Sequence, residues 1–214
     1  EAAKECYTRA IALFRQLGHL QGECQTLGNL GNVNKIQGEF YEAINLYMQA
    51  MPIAKKIGQQ QNIGIISGNL ASTYKRVGDI TNAVKHYKIA IGISEELGDD
   101  TNQAIHVGNL GSLHLSLGEY AKAKERFQRS LLLTQQVGIR HFEGTTFGNL
   151  ALVYQALNDH PKAARAYNQA IEIAREIGDK RGEGVNLGNL AHMLAEQNNH
   201  IEAETTFRKA IDLC

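Results

Sequence analysis

Five asparagines stand at a spacing that could do chemistry on another chain's backbone. Asn29, Asn69, Asn109, Asn149 and Asn189 each lie in the tripeptide Gly-Asn-Leu, 40 residues from one copy to the next. A carboxamide offers one acceptor and two donors, enough to pair with both the N–H and the C=O of an extended peptide. Neighbouring helices lie about 8–10 Å apart and an extended chain advances about 3.3 Å per residue, so such a ladder would grip a ligand at roughly every third residue. Contacts of this kind read backbone, which leaves selectivity to the flanking side chains. The same amides could instead bond one repeat to the next, the usual fate of buried amides.

Other chemistry does not assemble. The histidines (19, 86, 106, 114, 141, 160, 192 and 200) include no His-Glu-x-x-His pair or comparable metal spacing. His106 and His114 are two turns apart on one predicted helix, without a neighbouring cysteine or carboxylate. Cys6, Cys24 and Cys214 are too irregular for a disulfide framework or a zinc site. Cys24 stands where other copies have Gly64, Ala104, Gly144 and Gly184, as a small residue in a tight contact would. No cofactor, metal or catalytic group is expected. Lys+Arg and Asp+Glu both number 22, and there is no basic stripe or exposed aromatic platform, so nucleic acid is not an expected partner. No apolar run approaches the roughly 20 residues of a membrane span and no signal-peptide pattern opens the chain. A reducing, cytoplasmic setting follows as the default. The chain starts without Met and inside a repeat, as an excised fragment would.

The elements that must hold the asparagines repeat with the same period. Tyr7, Tyr47, Tyr87, Phe127, Tyr167 and Phe207 recur with Ala3, Ala43, Ala83, Ala123, Ala163 and Ala203 four residues before them. A small or apolar pair follows three and four residues after each ring, which places all four on one helical stripe. Gly18, Gly58, Gly98, Gly138 and Gly178 end these helices, here called B, as residues suited to positive φ. Asp99, Asp100 and Asp179 then suit the start of the next helix. The segments 21–37, 61–77, 101–117, 141–157 and 181–197 are predicted A helices and carry Gly-Asn-Leu. They close at Gly38, Gly78, Gly118, Asn158 and Asn198. Asp159-His160-Pro161 reads as a cap with proline in the first turn. Pro52 falls inside a B helix, where a kink is expected. The repeats are delimited as 1–20 (a lone B helix), 21–60, 61–100, 101–140, 141–180 and 181–214, one array of about eleven helices.

Phe147, Leu150, Ala151, Tyr154, Ala163, Tyr167 and Ala170 together resemble the tetratricopeptide repeat, and the match extends over the whole chain. The period of 40 residues, Leu30-Gly31-Asn32 and the run from Gly178 to Gly184 are similar to the long-repeat arrays of Pins/LGN-type scaffolds and kinesin light chains. No repeat has Trp, and Asn34, His114 and Leu194 replace the tyrosine of helix A. The resemblance implies an all-α, right-handed α-solenoid of antiparallel helix pairs. It also implies that A helices line a concave groove that holds a peptide. A two-lysine carboxylate clamp is not implied, since its basic positions read here as Gly28, Ile105 and Asn109.

On a helical wheel the asparagines lie about 100° from the core-facing leucines. They share that face with Gln25, Asn32 and Ile36; Ile65, Ser72 and Arg76; Ile105, Ser112 and Ser116; Thr145, Leu152 and Ala156; and Val185, His192 and Glu196. The A segments carry 8 of the chain's 44 charged residues, so a nearly neutral groove is expected, with Arg76, His192 and Glu196 as exceptions. The candidate ligand-binding residues are therefore Asn29, Asn69, Asn109, Asn149, Asn189, Ser72, Arg76, Ser112, Leu152 and His192. The expected ligand is an extended or partly helical protein segment with apolar anchors, which could belong to the parent chain. The glycine before each Asn either permits close helix packing or opens the groove floor, as a helical glycine otherwise costs roughly 1 kcal/mol. An alternative of another class is an assembly or spacer module that self-associates through uncapped repeat ends.

Overall fold

The structure, a computed structural model, describes residues 2–213. These form eleven α-helices and no strand: α1 (Ala2–Gln16), α2 (Leu20–Ile36), α3 (Phe40–Lys56), α4 (Gln60–Val77), α5 (Ile80–Glu96), α6 (Asp100–Ser116), α7 (Tyr120–Val137), α8 (Arg140–Ala156), α9 (His160–Glu176), α10 (Lys180–Glu196) and α11 (His200–Ile211). The even-numbered helices are the A helices and the odd-numbered ones the B helices. The architecture is an all-α solenoid of antiparallel helix pairs. Two compact units divide it, Glu1–Asp99 with α1 to α5 and Asp100–Cys214 with α6 to α11.

The turns are set by backbone chemistry. Gly18, Gly38, Gly58, Gly78, Gly98, Gly118, Gly138 and Gly178 all have φ between +63° and +85°, and Asn158 and Asn198 take the same region at +58° and +61°. Asparagine is one of the few residues with a side chain that enters this region readily, which is why it can stand in for glycine. Asp179 caps α10 by accepting from the Gly182 N–H, and Asp159 caps α9 from Lys162 with Pro161 in the first turn. His19 caps α2 in the same way, its Nδ1 accepting from the Gly22 N–H at 2.9 Å. Pro52 lies inside α3, which continues past it to Lys56. The proline is exposed, so water can serve the carbonyl that loses its partner.

Packing follows the aromatic stripe. Tyr47, Tyr87, Phe127 and Tyr167 are at most 1% exposed, and Ala43, Ala83, Ala123 and Ala163 are fully buried. At the outermost copies the rings are only partly covered, at Tyr7 and Phe207. The buried phenols are satisfied or disfavoured as ions. Tyr47 donates to Asn32 Oδ1 at 2.6 Å and Tyr167 to Gln155 Oε1 at 3.0 Å. Burial raises the pKa of Tyr87 and Tyr167 to about 12 and that of Tyr47 further. Cys24 and Cys6 are free thiols. Cys24 is buried and its Sγ lies 3.6 Å from the Ala50 carbonyl, in the tight contact expected of it. Cys214 lies outside the described residues.

Charge in the A helices is drawn toward the preceding B helix. Glu23 accepts from Arg15 at 2.6 Å, Glu143 from Gln135 at 3.0 Å and Arg140 at 2.6 Å, and Glu183 from Arg175. Glu23 and Glu143 are buried, so these are paired carboxylates whose loss of one partner would leave an uncompensated charge. His86 is a different case. Its ring stacks on Tyr74 with centroids 5.6 Å apart, and Nδ1 is buried without a hydrogen-bond partner. Burial, then Lys85 and Lys55, lower its pKa below 6.5.

Two outcomes test this account. A Cβ on Gly28 would meet nothing within 4 Å, whereas one on Gly31 would come within 2.6 Å of the fully buried Tyr47 ring. Gly28→Ala should therefore stabilise the protein by roughly 0.5–1 kcal/mol through helix propensity. Gly31→Ala should lower stability by about 1 kcal/mol or more, because Tyr47 can yield only by leaving Asn32; denaturant titration of both variants checks the contrast. The second outcome concerns acid. A histidine whose folded pKa is depressed favours the neutral form, so below about pH 6.5 the unfolded chain binds the extra proton. Stability should fall as pH drops from 6.5 toward the folded value, and His86→Phe, which keeps the ring against Tyr74, should flatten that limb of a Tm-versus-pH profile.

Candidate functional site

The asparagine ladder is built by the A helices, and its chemistry depends on what each carboxamide already holds. Asn29 is exposed, and Asn69, Asn109, Asn149 and Asn189 are half-buried. Asn69 Oδ1 accepts from Lys35 Nζ at 2.9 Å, a bond from α2 to α4. Asn29, Asn109, Asn149 and Asn189 have no hydrogen-bond partner among the described residues, and none of their polar atoms is both buried and unpaired. The alternative of repeat-to-repeat bonding thus applies at Asn69 alone, and there through a side chain.

The flanking residues divide similarly. Ser72 donates back to the Asn69 carbonyl at 2.9 Å and Ser112 to the Gly108 carbonyl at 3.1 Å, so both hydroxyls are committed to their own helices as donors. Arg76 lies over the Phe40 ring, 5.4 Å from its centroid. Leu152 is 36% exposed, and Val185 and Ile65 are exposed further. His192 is exposed with Nδ1 3.5 Å from Glu196 Oε1. Glu196 also accepts from Gln155 at 2.8 Å, tying the ends of α8 and α10 together.

Within the second unit, α8 and α10 bring part of this set into one groove of about 340 Å³. From α8 come Thr145, Gly148, Asn149 and Leu152; from α10, Val185, Asn186 and Asn189, with Asp179 and Arg181 at one lip. The groove therefore unites Asn149, Asn189 and Leu152 and excludes His192. Asn186 was not marked by the repeat, because its counterparts are Thr26, Ile66, His106 and Thr146. Its Nδ2 donates to the Gly182 carbonyl at 2.8 Å, and its Oδ1 lies 2.6 Å from where a Cβ on Gly148 would stand. Gly148 is thus a close-packing glycine; Gly108, whose added Cβ would lie 3.0 Å from Ser130 Oγ, is another, while Gly28 and Gly188 face open space. The repeated glycine therefore sits in a close contact at some copies and beside open space at others.

A wall of apolar Leu152 and Val185 beside unpaired amides can bury a side chain while hydrogen-bonding a backbone, the usual composition of a peptide-recognition surface. Among the described residues no group of three or more His, Cys, Asp and Glu is placed to hold a metal. No helix is long and apolar enough to cross a membrane.

This geometry has relatives. The tetratricopeptide repeat signature matches residues 62–136, 103–176 and 142–214, and a second signature of the same repeat matches 24–57. The chain belongs to the tetratricopeptide repeat family, whose arrays are protein–protein interaction scaffolds. Among solved structures it is similar to BtubC (BKLC) from P. vanneervenii, with TM-score 0.87 and 20% identity over 100% of this chain and 90% of that one. It is also similar to a Podosopora anserina putative kinesin light chain with nearly identical repeats (TM-score 0.72, 16% identity, 88% of this chain and 93% of that one). A third similar structure is a Rap protein complexed with Competence and Sporulation Factor (TM-score 0.76, 14% identity, 90% of this chain and 54% of that one). At these identities the likeness is one of fold. No curated protein matches the chain in sequence.

Proposed function

We propose that this chain is an interaction module that holds an extended or partly helical segment of a protein against its A helices, with the carboxamides reading the segment's backbone. The observation that carries this reading is the pair Asn149 and Asn189, which line one groove with free hydrogen-bonding groups beside exposed Leu152 and Val185. An amide held on a rigid helix loses little freedom on binding, so the ordering cost falls mainly on the ligand. The Rap protein bound to Competence and Sporulation Factor supports the reading by analogy of fold. A cytoplasmic, non-enzymatic role in which neither nucleic acid nor a cofactor takes part accords with it. The ladder extends to Asn29, Asn69 and Asn109, with Ser72, Arg76, Ser112 and His192 as flanking selectors. The two serines would act as acceptors, their protons being engaged.

A second reading, assembly through the terminal helices, draws on exposed Leu13 of α1, Leu17 in the turn just after it, and exposed Ile201 and Ile211 of α11. Light scattering over a concentration series decides it: a strict monomer throughout removes this alternative.

For the groove, the test is a peptide array probed with the folded protein, followed by titration of the best peptide. Asn149→Ala combined with Asn189→Ala should retain the helical circular dichroism spectrum and weaken that peptide by tenfold or more, at roughly 1 kcal/mol per lost hydrogen bond. Undiminished affinity in the double variant would remove the groove as the binding surface.

A further inference from the structure

The second unit has a further hollow that shares no residue with the asparagine groove. It lies between the B helices α7 and α9, with α8 as its floor, and its volume is about 220 Å³. Leu131 of α7, Phe147, Leu150 and Tyr154 of α8 and Ala166 of α9 line it with apolar surface. Leu131 and Tyr154 are only half-buried, so part of that surface meets water in the free protein. The volume is below the roughly 300 Å³ at which small-molecule sites begin, and suits one large side chain.

Furrows of this kind come with the repeat. Ile11, Leu27, Leu30 and Leu46 line a like hollow in the first unit, three 40-residue periods before Leu131, Phe147, Leu150 and Ala166. The floor is therefore a consequence of how each B helix meets the one before it. The rim is not. In the first unit Arg15 is the one charged residue among those that line the hollow, and it is bonded to Glu23 and Gln49. In the second, Lys162 and Arg165 line it and no acid does. Their counterparts in the first unit are Glu42 and Asn45.

Lys124 joins these cations through Tyr154. Its Nζ lies 5.7 Å from the centroid of that ring, and Lys162 Nζ lies 5.8 Å from it. A cation over an aromatic face is favourable, but two brought to one ring from the flanking helices concentrate like charge. Asp159 answers one of them, accepting from Lys162 Nζ at 2.5 Å. The field of Lys124 also reaches Asp159, and that of Arg165 reaches Lys162. The three cations thus form one positive field that Asp159 offsets only in part. Among the described residues neither Lys124 nor Arg165 forms an ion pair.

We propose that this hollow is a second docking site, which takes one large apolar side chain from an acidic segment of another protein. The side chain would leave water against Leu131 and Tyr154, and carboxylates before and after it would meet Lys124 and Arg165. Charge complementarity selects this occupant. An apolar floor alone would accept any hydrophobic residue, whereas uncompensated cations at its edge favour acidic neighbours and repel basic ones. A membrane surface is the poorer match, because a hollow has nothing to insert into it. A nucleic acid would meet few cations on a chain of zero net charge. Since the two surfaces share no residue, the docking site stands or falls without the groove.

The chain has no tryptophan, so a peptide with one Trp between two pairs of Glu reports its own burial by fluorescence without background. Titrated with the intact chain at low salt, its emission should shift to the blue and saturate. The same peptide with Gln for every Glu should bind roughly fivefold or more weakly, and the gap should close as salt is raised. Arg165→Gln, on the exposed rim, should weaken the Glu peptide roughly threefold and leave the Gln peptide unchanged. Ala166→Leu puts into the hollow the residue type found at Leu46. It should weaken both peptides roughly tenfold or more, with the helical circular dichroism spectrum retained. Asn149→Ala combined with Asn189→Ala should leave both affinities as they are. Absence of a blue shift, equal binding of the Glu and Gln peptides, or an Arg165→Gln variant that binds as the parent does would each overturn the docking site, whether or not Ala166→Leu folds. So would unchanged binding by a folded Ala166→Leu variant, loss of the peptide in the asparagine double variant, or tighter binding of phosphatidylserine vesicles or a single-stranded oligonucleotide than of the Glu peptide. A light-scattering mass that rises with concentration in the parent but not in Ala166→Leu would give the hollow to a second copy of the chain instead.

Discussion

Everything in this fold depends on one repeated contact, a fully buried ring on a B helix seated against a small residue on the A helix before it. Tyr47 meets Gly31 and Phe127 meets Gly111 so closely that a Cβ on either glycine would lie inside contact distance. Ala151 and Tyr167 belong to one core cluster by the same arrangement. Aromatic rings bury a large apolar area, and close approach of helix backbones lets that area be removed from water at both faces. Because the contact fixes the rotation of each A helix, it also fixes which residues remain uncovered. The asparagines are available to a ligand as a consequence of where the tyrosines point.

Electrostatics then shapes the exposed face by subtraction. Glu23, Glu143 and Glu183 sit on A helices and would charge the ladder, but each is drawn to an Arg or Gln of the preceding B helix. What remains in the second unit is a polar strip with apolar neighbours, the free amides of Asn149 and Asn189 beside Leu152 and Val185.

Much of this was legible from spacing. A fixed period of 40 residues located every turn, and the substitution of Asn158 and Asn198 for glycine was readable because few other residues enter the left-handed region. The stripe of alanines and aromatics identified the buried face. Less visible were interactions that do not repeat. Asn186 has no asparagine among its counterparts, so periodicity could not single it out as a wall of the α8–α10 groove. Lys35 lies about 140° from Leu30 on the wheel, away from the ladder face, and only the position of the next helix brings its ammonium to Asn69. His19 as a helix cap also follows from local geometry that a pattern of residue types does not encode.

The chain's own order of residues determined the helices, their ends, the turns and the faces that must be buried, since these depend on short-range backbone preference and on the 3.6-residue period. Tertiary structure decided the state of each carboxamide. Whether an amide is occupied or free depends on which side chain of a neighbouring helix reaches it, and that is settled over a few ångströms between residues 34 positions apart, as Lys35 and Asn69 are. Repetition copies the amide into every unit; only packing assigns it a partner or leaves it open.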